Sequence, residues 1–186
     1  QLYIPVERQH DPALDARPIY AYDPRGAAAR LKASGYHGQP ITVLYGSNSP
    51  FSVNMAPSIQ QDLQRIGIAV TLRGVSDTSL LAVGQSLTGH QISFDGWNAT
   101  FPDGYDIYSG VMSCVANIAG APAAAHYCDP GADRLFNTAE TLSLGPARDA
   151  LLRQAQARVL RSATRVPLVF IKNVEMVSPK VGGFYY

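Results

Sequence analysis

Residues able to do chemistry are sparse in this chain, and their spacing informs mainly by what it leaves incomplete. Asp103 and Asp106 follow the only tryptophan, Trp97, in the stretch FDGWNATFPDGYD at residues 94–106. Two carboxylates at that separation suit a general acid–base pair, but they suit equally the turn and helix-cap positions marked by Pro102 and Gly104. A window from Asp129 to Glu140, with Asp133 and Asn137 inside, imitates a calcium loop. It fails where the geometry is strict: the third position is Gly131, which has no carboxylate, and the sixth is Arg134, where glycine must make the sharp turn. Asp129-Pro130 reads instead as the start of a helix. His10, His37, His90 and His126 have no paired spacing, GSNSP lacks the lysine of a phosphate loop, and no serine sits in G-x-S-x-G. With no phosphate cradle, metal cluster or activated nucleophile, no cofactor, no metal and no catalytic residue is expected. A binding protein fits better than an enzyme.

The tryptophan poses a different question. A core tryptophan sits inside an apolar run, whereas Trp97 stands where the run ISF stops, among small polar residues. Cys114 and Cys128 flank a loop rich in Ala, Gly and Pro. They are either two buried thiols or a disulfide that clamps the loop; the second reading, which we favour, places the chain in an oxidising compartment.

The elements that must position these residues follow from caps and periodicity. Asp23-Pro24 opens a helix that runs through an Ala-rich stretch to Leu31, with Gly35 as its C-terminal cap. ITVLYG, residues 41–46, is a short buried strand closed by Ser-Asn-Ser-Pro. Val53, Ala56, Ile59, Leu63 and Ile66 recur at helical spacing, with Pro57 forcing either a late start or a kink. IAVTLRGV predicts a second strand, residues 77–87 a helix closed by Gly89, and ISFDGW a third strand. Strand, helix, strand, helix, strand with short connectors is a βαβαβ unit with a mostly parallel sheet, whose ligand loops lie beyond the carboxyl ends of the strands. Ser47 and Asn48 follow the first strand and Trp97 the third, so all three belong on that rim. Pro146 starts a long helix to about Arg165, with Leu152, Ala155 and Val159 inward and Arg148, Arg153, Arg158 and Arg161 on its exposed sides. VPLVFI, residues 166–171, predicts a further strand.

The whole chain sets the outer limits. Its 186 residues, 46% hydrophobic and 16% charged, can build one core-bearing α/β domain, and a formal charge of +1 supplies no field for nucleic acid. No apolar stretch reaches the ~18–20 residues that span a bilayer. There is no initiating Met and no charged-then-apolar leader, and the first 22 residues read as a connector within a longer chain.

Taken in order, YIP, YDPRGAAARLKASGY, ITVLYG, LQRIGIAV, the strand leading to GW, HYCDPGADRL, ARDALLRQAQARVL and VPLVF resemble the extracytoplasmic solute-binding proteins of family 5, which serve ABC importers of peptides and nickel. The resemblance covers residues 4–184 and implies a periplasmic-binding-protein type II-like lobe, a βαβαβ core with additional C-terminal helices. It implies that the chain is the C-terminal lobe of a two-lobe receptor: residues 1–22 connect from the other lobe, 23–178 form the substrate-binding lobe and 179–186 return. Trp97, Asn98, Ala99 and Thr100 of the GW loop, with Ser47 and Asn48, are then expected to line the cleft. The family reads GW-x-A-D-x-x-D-P, and its first Asp holds a peptide's α-ammonium; here Thr100 stands in its place, so blocked peptides, sugars, opine-like compounds and metal chelates stay open as ligands. The implied partners are a small-molecule or oligopeptide ligand, the membrane permease and the first lobe. The implied location is periplasmic or otherwise extracytoplasmic, either free or lipid-anchored. Two alternatives remain, an α/β hydrolase-like enzyme domain acting at the strand-end cleft and a stand-alone interaction domain.

Overall fold

A computed structural model describes residues 1–183 apart from 87, 119, 122–124, 126 and 173–175; His126 and the end of the predicted 77–87 helix lie outside the described residues. Three strands, β1 (Ile41–Gly46), β2 (Val70–Val75) and β3 (Ile92–Ser93), form one parallel sheet in the order β2-β1-β3. Val43 and Leu44 of the central strand point to opposite faces, and both are fully buried, so the sheet is covered on both sides as a parallel sheet requires. On the Val43 side, helix α3 (Pro50–Arg65) contributes Ala56, Ile59 and Leu63 to a core with Val70 and Phe94. Helix α4 (Asp77–Gly84) returns the chain along the sheet: a side chain at Gly46 would meet Asp77 and Leu80.

The capping chemistry accounts for the helix starts. Asp23 accepts from Gly26 N–H ahead of helix α2 (Pro24–Ala33), and Ser49 accepts from Ser52 N–H ahead of α3. The left-handed backbone at Gly35 and Gly67 ends these two helices. Because Ser49-Pro50 is itself a complete start signal, α3 begins before Val53 and carries Pro57 within it. Ala56, Ile59 and Leu63 face the core as predicted, but Val53 is exposed, and the buried position beside Ala56 is taken by Ser52, four residues before it.

A second core is helical. Helices α6 (Pro130–Glu140) and α7 (Pro146–Arg161) pack with a π-helical turn at Tyr108–Met112 that continues the short helix α5 (Gly104–Ile107). Tyr108 stacks on Phe136 at 4.1 Å between ring centroids. The first residues of the chain are stitched into this core: Tyr3 is fully buried with its hydroxyl donating to the Leu152 carbonyl at 3.1 Å, and buried Gln156 accepts from the Leu2 and Tyr3 N–H groups. A short helix, α1 (Pro12–Ala16), follows.

Three predicted features differ. The strand ISFDGW is regular only at Ile92–Ser93, although Phe94 N–H still reaches the Leu44 carbonyl at 2.9 Å; beyond it the side chains of Asp95 and Asp106 take over the local hydrogen bonding. The predicted strand at 166–171 is not a strand. An apolar extended run becomes one only against a neighbour that takes its backbone groups, and Val166, Leu168, Val169, Phe170 and Ile171 are instead exposed. Helix α7 ends at Arg161, and of its four arginines Arg148 is buried rather than exposed, because Asp103 lies opposite it.

Candidate functional site

Since the three strands run the same way, Gly46 and Phe94 bring the chain to one edge of the sheet, and Ser47, Asn48 and residues 95–100 all stand there, exposed. Ser47 is tied to the neighbouring strand, its N–H and its hydroxyl both donating to the Val75 carbonyl at 2.7 and 2.9 Å. Among the described residues no hydrogen bond joins this turn to the tryptophan loop.

The tryptophan loop is held from beneath by one buried carboxylate. Trp97 Nε1–H donates to Asp106 Oδ2 at 2.6 Å and Thr100 N–H to the same oxygen at 3.2 Å, while the Thr100 hydroxyl donates to Asp106 Oδ1. Charge-assisted bonds of this kind are about twice as strong as neutral ones. The six-membered ring of the indole packs against Gly110 of the π-helical turn, where even a methyl group would come within 2.3 Å of the ring. Trp97 is thus anchored at its polar end and along one side, with 37% of its surface still open. Asn98, Ala99 and Thr100 are exposed beside it. Asp95, at the loop's entrance, accepts from Gly96 N–H at 2.8 Å and from Arg165 at 3.1 Å.

The loop's exit is fixed by the second carboxylate. Asp103 caps α5 by accepting from Tyr105 N–H at 2.9 Å and receives both terminal nitrogens of Arg148, at 2.7 and 2.8 Å. Burial works to raise the Asp103 carboxyl, but the Arg148 hydrogen bonds, the Tyr105 N–H and the Arg148 charge outweigh it and hold the group below the ordinary carboxylate range. Gln9, fully buried, bridges Gly104 N–H and Asp149. Glu7 lies close by; burial pushes its carboxyl up to about 7, the Ile4 N–H works against the shift, and the charges of Asp103 and Asp106 add to it. Asp103 and Asp106 therefore serve as a cap and a loop anchor, each engaged by protein donors, which is the structural alternative to a catalytic pair. In the calcium-like window, Asp129 caps α6 and pairs with Arg158 at 2.9 Å.

Cys114 and Cys128 are joined in a disulfide, as favoured from the loop's composition. The linkages that the sequence reading missed are Asp106 to Trp97 and Thr100, Arg148 to Asp103, and Arg165 to Asp95.

Residues 3–118 match the family described as bacterial extracellular solute-binding proteins, family 5. The chain belongs to that family. It is similar to the probable di/tripeptide-binding protein 5 of Pseudomonas aeruginosa, 26% identical over 90% of this chain and 32% of that protein. It is 24% identical to the probable deoxycholate-binding periplasmic protein YgiS of Escherichia coli, over 85% of this chain and 29% of YgiS. Among solved structures, the periplasmic binding protein DppA of Helicobacter pylori, associated with an ABC transporter and complexed with the peptide STSA, superposes on 80% of this chain and 29% of its own. The TM-score is 0.69 at 28% identity. The chain thus spans about a third of the length of these relatives. The family is one of extracellular solute-binding proteins rather than enzymes.

Proposed function

We propose that this chain is the C-terminal lobe of the substrate-binding component of an ABC importer, capturing a peptide or other small solute against the tryptophan loop. One observation carries the reading: in a chain of this family, Trp97, Asn98, Ala99 and Thr100 form an exposed loop at the carboxyl edge of a parallel sheet, braced on its inner side by Asp106. Ser47 and Asn48 stand at the same edge and supply polar groups. Residues 1–22 lead in from the first lobe, although Tyr3 and Gln9 among them pack into the helical core; 23–178 form the binding lobe and 179–186 the return, and the partners are that first lobe and the membrane permease. The receptor is periplasmic or otherwise extracytoplasmic, either free or lipid-anchored.

The ligand does not present a free ammonium to position 100. Both donors of Thr100 are committed to Asp106, whose own charge is buried under three donors, so position 100 supplies nothing that would neutralise a cation in a closed cleft. A di/tripeptide-binding protein and a deoxycholate-binding protein among the relatives support a ligand range wider than unblocked peptides.

Calorimetric titration of blocked peptides, unblocked peptides and sugars tests this, using the 186-residue chain and the longer polypeptide that includes the first lobe. An open half-cleft gains only ~1 kcal/mol per exchanged hydrogen bond, so the chain alone should bind no tighter than about millimolar and the two-lobed form much tighter. Micromolar binding by the chain alone would remove the half-cleft reading, and tight binding that requires a free amine would remove the ligand assignment.

A further inference from the structure

The π-helical turn Tyr108–Met112 and a 3-10 turn at Val115–Asn117 enclose an open groove of about 450 Å³ beside the tryptophan. Its walls include Ser109, Gly110, Val115, Ala116, Ile118 and Ala121, with no charged side chain among the described lining residues. The one hydroxyl, on Ser109, donates into its own helix, to the Asp106 carbonyl at 3.1 Å. What remains is apolar, and its size falls within the ~300–1,000 Å³ of small-molecule sites. Val115 and Ile118 leave 75% and 59% of their surface in water.

The groove is continuous with the tryptophan loop and rigidly built. Gly110 forms part of its wall and also carries the face of Trp97, so the indole and the groove share one residue. Asn117 donates to the Val111 and Ser113 carbonyls at 3.0 and 2.8 Å and accepts from Arg165, which also holds Asp95 at the loop's entrance. The Cys114–Cys128 disulfide fixes the turn that presents Val115. Bracing this thorough would ordinarily turn the two aliphatic side chains inward; here it holds them out.

We infer that this groove is a subsite for an uncharged aliphatic group of the ligand, a branched side chain where the ligand is a peptide, seated while the rest of the ligand lies along residues 97–100. The inference rests on the binding reading above. An uncharged wall selects an apolar group and rejects an ionised one, which would lose its hydration without compensation.

Methyl and indole NMR of the 186-residue chain tests it with three probes, N-acetyl-leucinamide, N-acetyl-glycinamide and N-acetyl-lysinamide, at millimolar concentration. The leucine probe should shift the Val115 and Ile118 methyls and the Trp97 indole N–H together and saturably. The glycine probe should move only residues 97–100, and the lysine probe should act on the methyls about tenfold more weakly. The double variant Val115→Ser/Ile118→Ser, both side chains being exposed, should melt like the parent and bind the leucine probe about tenfold more weakly, at the glycine probe's level. Equal responses to leucine and glycine, confined to residues 97–100, would overturn the subsite and leave the binding reading standing. Methyl shifts without any response at residues 97–100 would uphold the groove as an apolar site and count against the binding reading. Silence everywhere would overturn the subsite and leave the binding reading standing, since that reading expects only weak binding by the chain alone; methyl shifts that follow protein concentration without probe would overturn the subsite and assign the groove to a second copy of the chain.

Discussion

Replacing Arg148 with methionine removes the cation from behind the tryptophan loop while roughly preserving side-chain volume. Its two terminal nitrogens meet the two oxygens of Asp103 at 2.7 and 2.8 Å, with side-chain exposures of 9% and 16%. Without Arg148, Asp103 keeps the Tyr105 N–H at 2.9 Å and a long contact to Gln9 at 3.5 Å, but it faces Glu7 uncompensated. Leaving one partner of a buried pair unmatched costs about 3–5 kcal/mol. The surviving cap bond and residual exposure put this case near the lower end, ~3 kcal/mol, still a large part of the ~5–15 kcal/mol that holds a domain together. Urea denaturation at neutral pH should read that loss as a lower midpoint with unchanged slope. Asp103→Asn in the Arg148→Met background should recover part of it, giving a coupling of about 2 kcal/mol in a double-mutant cycle. The pH dependence supplies a second sign. In the parent the depressed Asp103 pKa contributes stability that is full above the unfolded value and lost as pH falls through the folded one. Arg148→Met should therefore approach the parent as acid protonates Asp103. A loss within ~0.5 kcal/mol of zero, or additive single losses in the cycle, would refute the account of Asp103 and Arg148 as one buried unit.

Glu7, raised to about 7 against an ordinary 4.5, contributes stability that is present below 4.5 and lost as pH rises towards 7. Glu7→Gln, which can keep the bond from Ile4 N–H, should raise the melting temperature above the parent's at pH 8 and match it near pH 4, as scanning calorimetry would show. Reducing the Cys114–Cys128 disulfide, or replacing both cysteines with alanine, should cost roughly 3 kcal/mol for a loop of about 15 residues, read by denaturation with and without reductant. Thr100→Asp sets a second carboxylate against Asp106, so it should lower stability most at high pH and free the Trp97 indole; indole N–H exchange as slow as in the parent would contradict Asp106 as the loop's anchor.

Most of the fold is legible in the sequence because it rests on local rules. Asp23-Pro24, Asp129-Pro130 and the periodic apolar residues from Ala56 to Leu63 each carry their element on a few neighbours, and three short parallel strands follow from the connectors between them. What failed depends on partners far along the chain. The run VPLVFI has the composition of a strand, but composition cannot supply the neighbour that would take its hydrogen bonds. Val53 misled because it lies at the margin of the apolar stripe: Ala56, Ile59 and Leu63 face the core, while Ser52, four residues before Ala56, takes the buried position beside them.

Arg148 left a trace that went unread. It is the third residue of a helix begun by Pro146, where the macrodipole favours anions, so a cation there already asked for a carboxylate partner. The sequence offers one whose own position explains the match: Asp103 caps α5 from a half-buried position, and a carboxylate partly withdrawn from water at a chain reversal gains from a counter-charge. The same logic reaches the tryptophan. Trp97 ends an apolar run without entering the core because Asp106 takes its N–H, Gly110 takes its face, and Arg165 pins Asp95 before it. A ring anchored on two sides cannot swing inward to bury its remaining surface. Such a large aromatic can stay in water only while the bonds beneath it outweigh the pull of burial, which makes the Asp106 carboxylate, rather than any residue on the loop's outer face, the group on which the exposed edge depends.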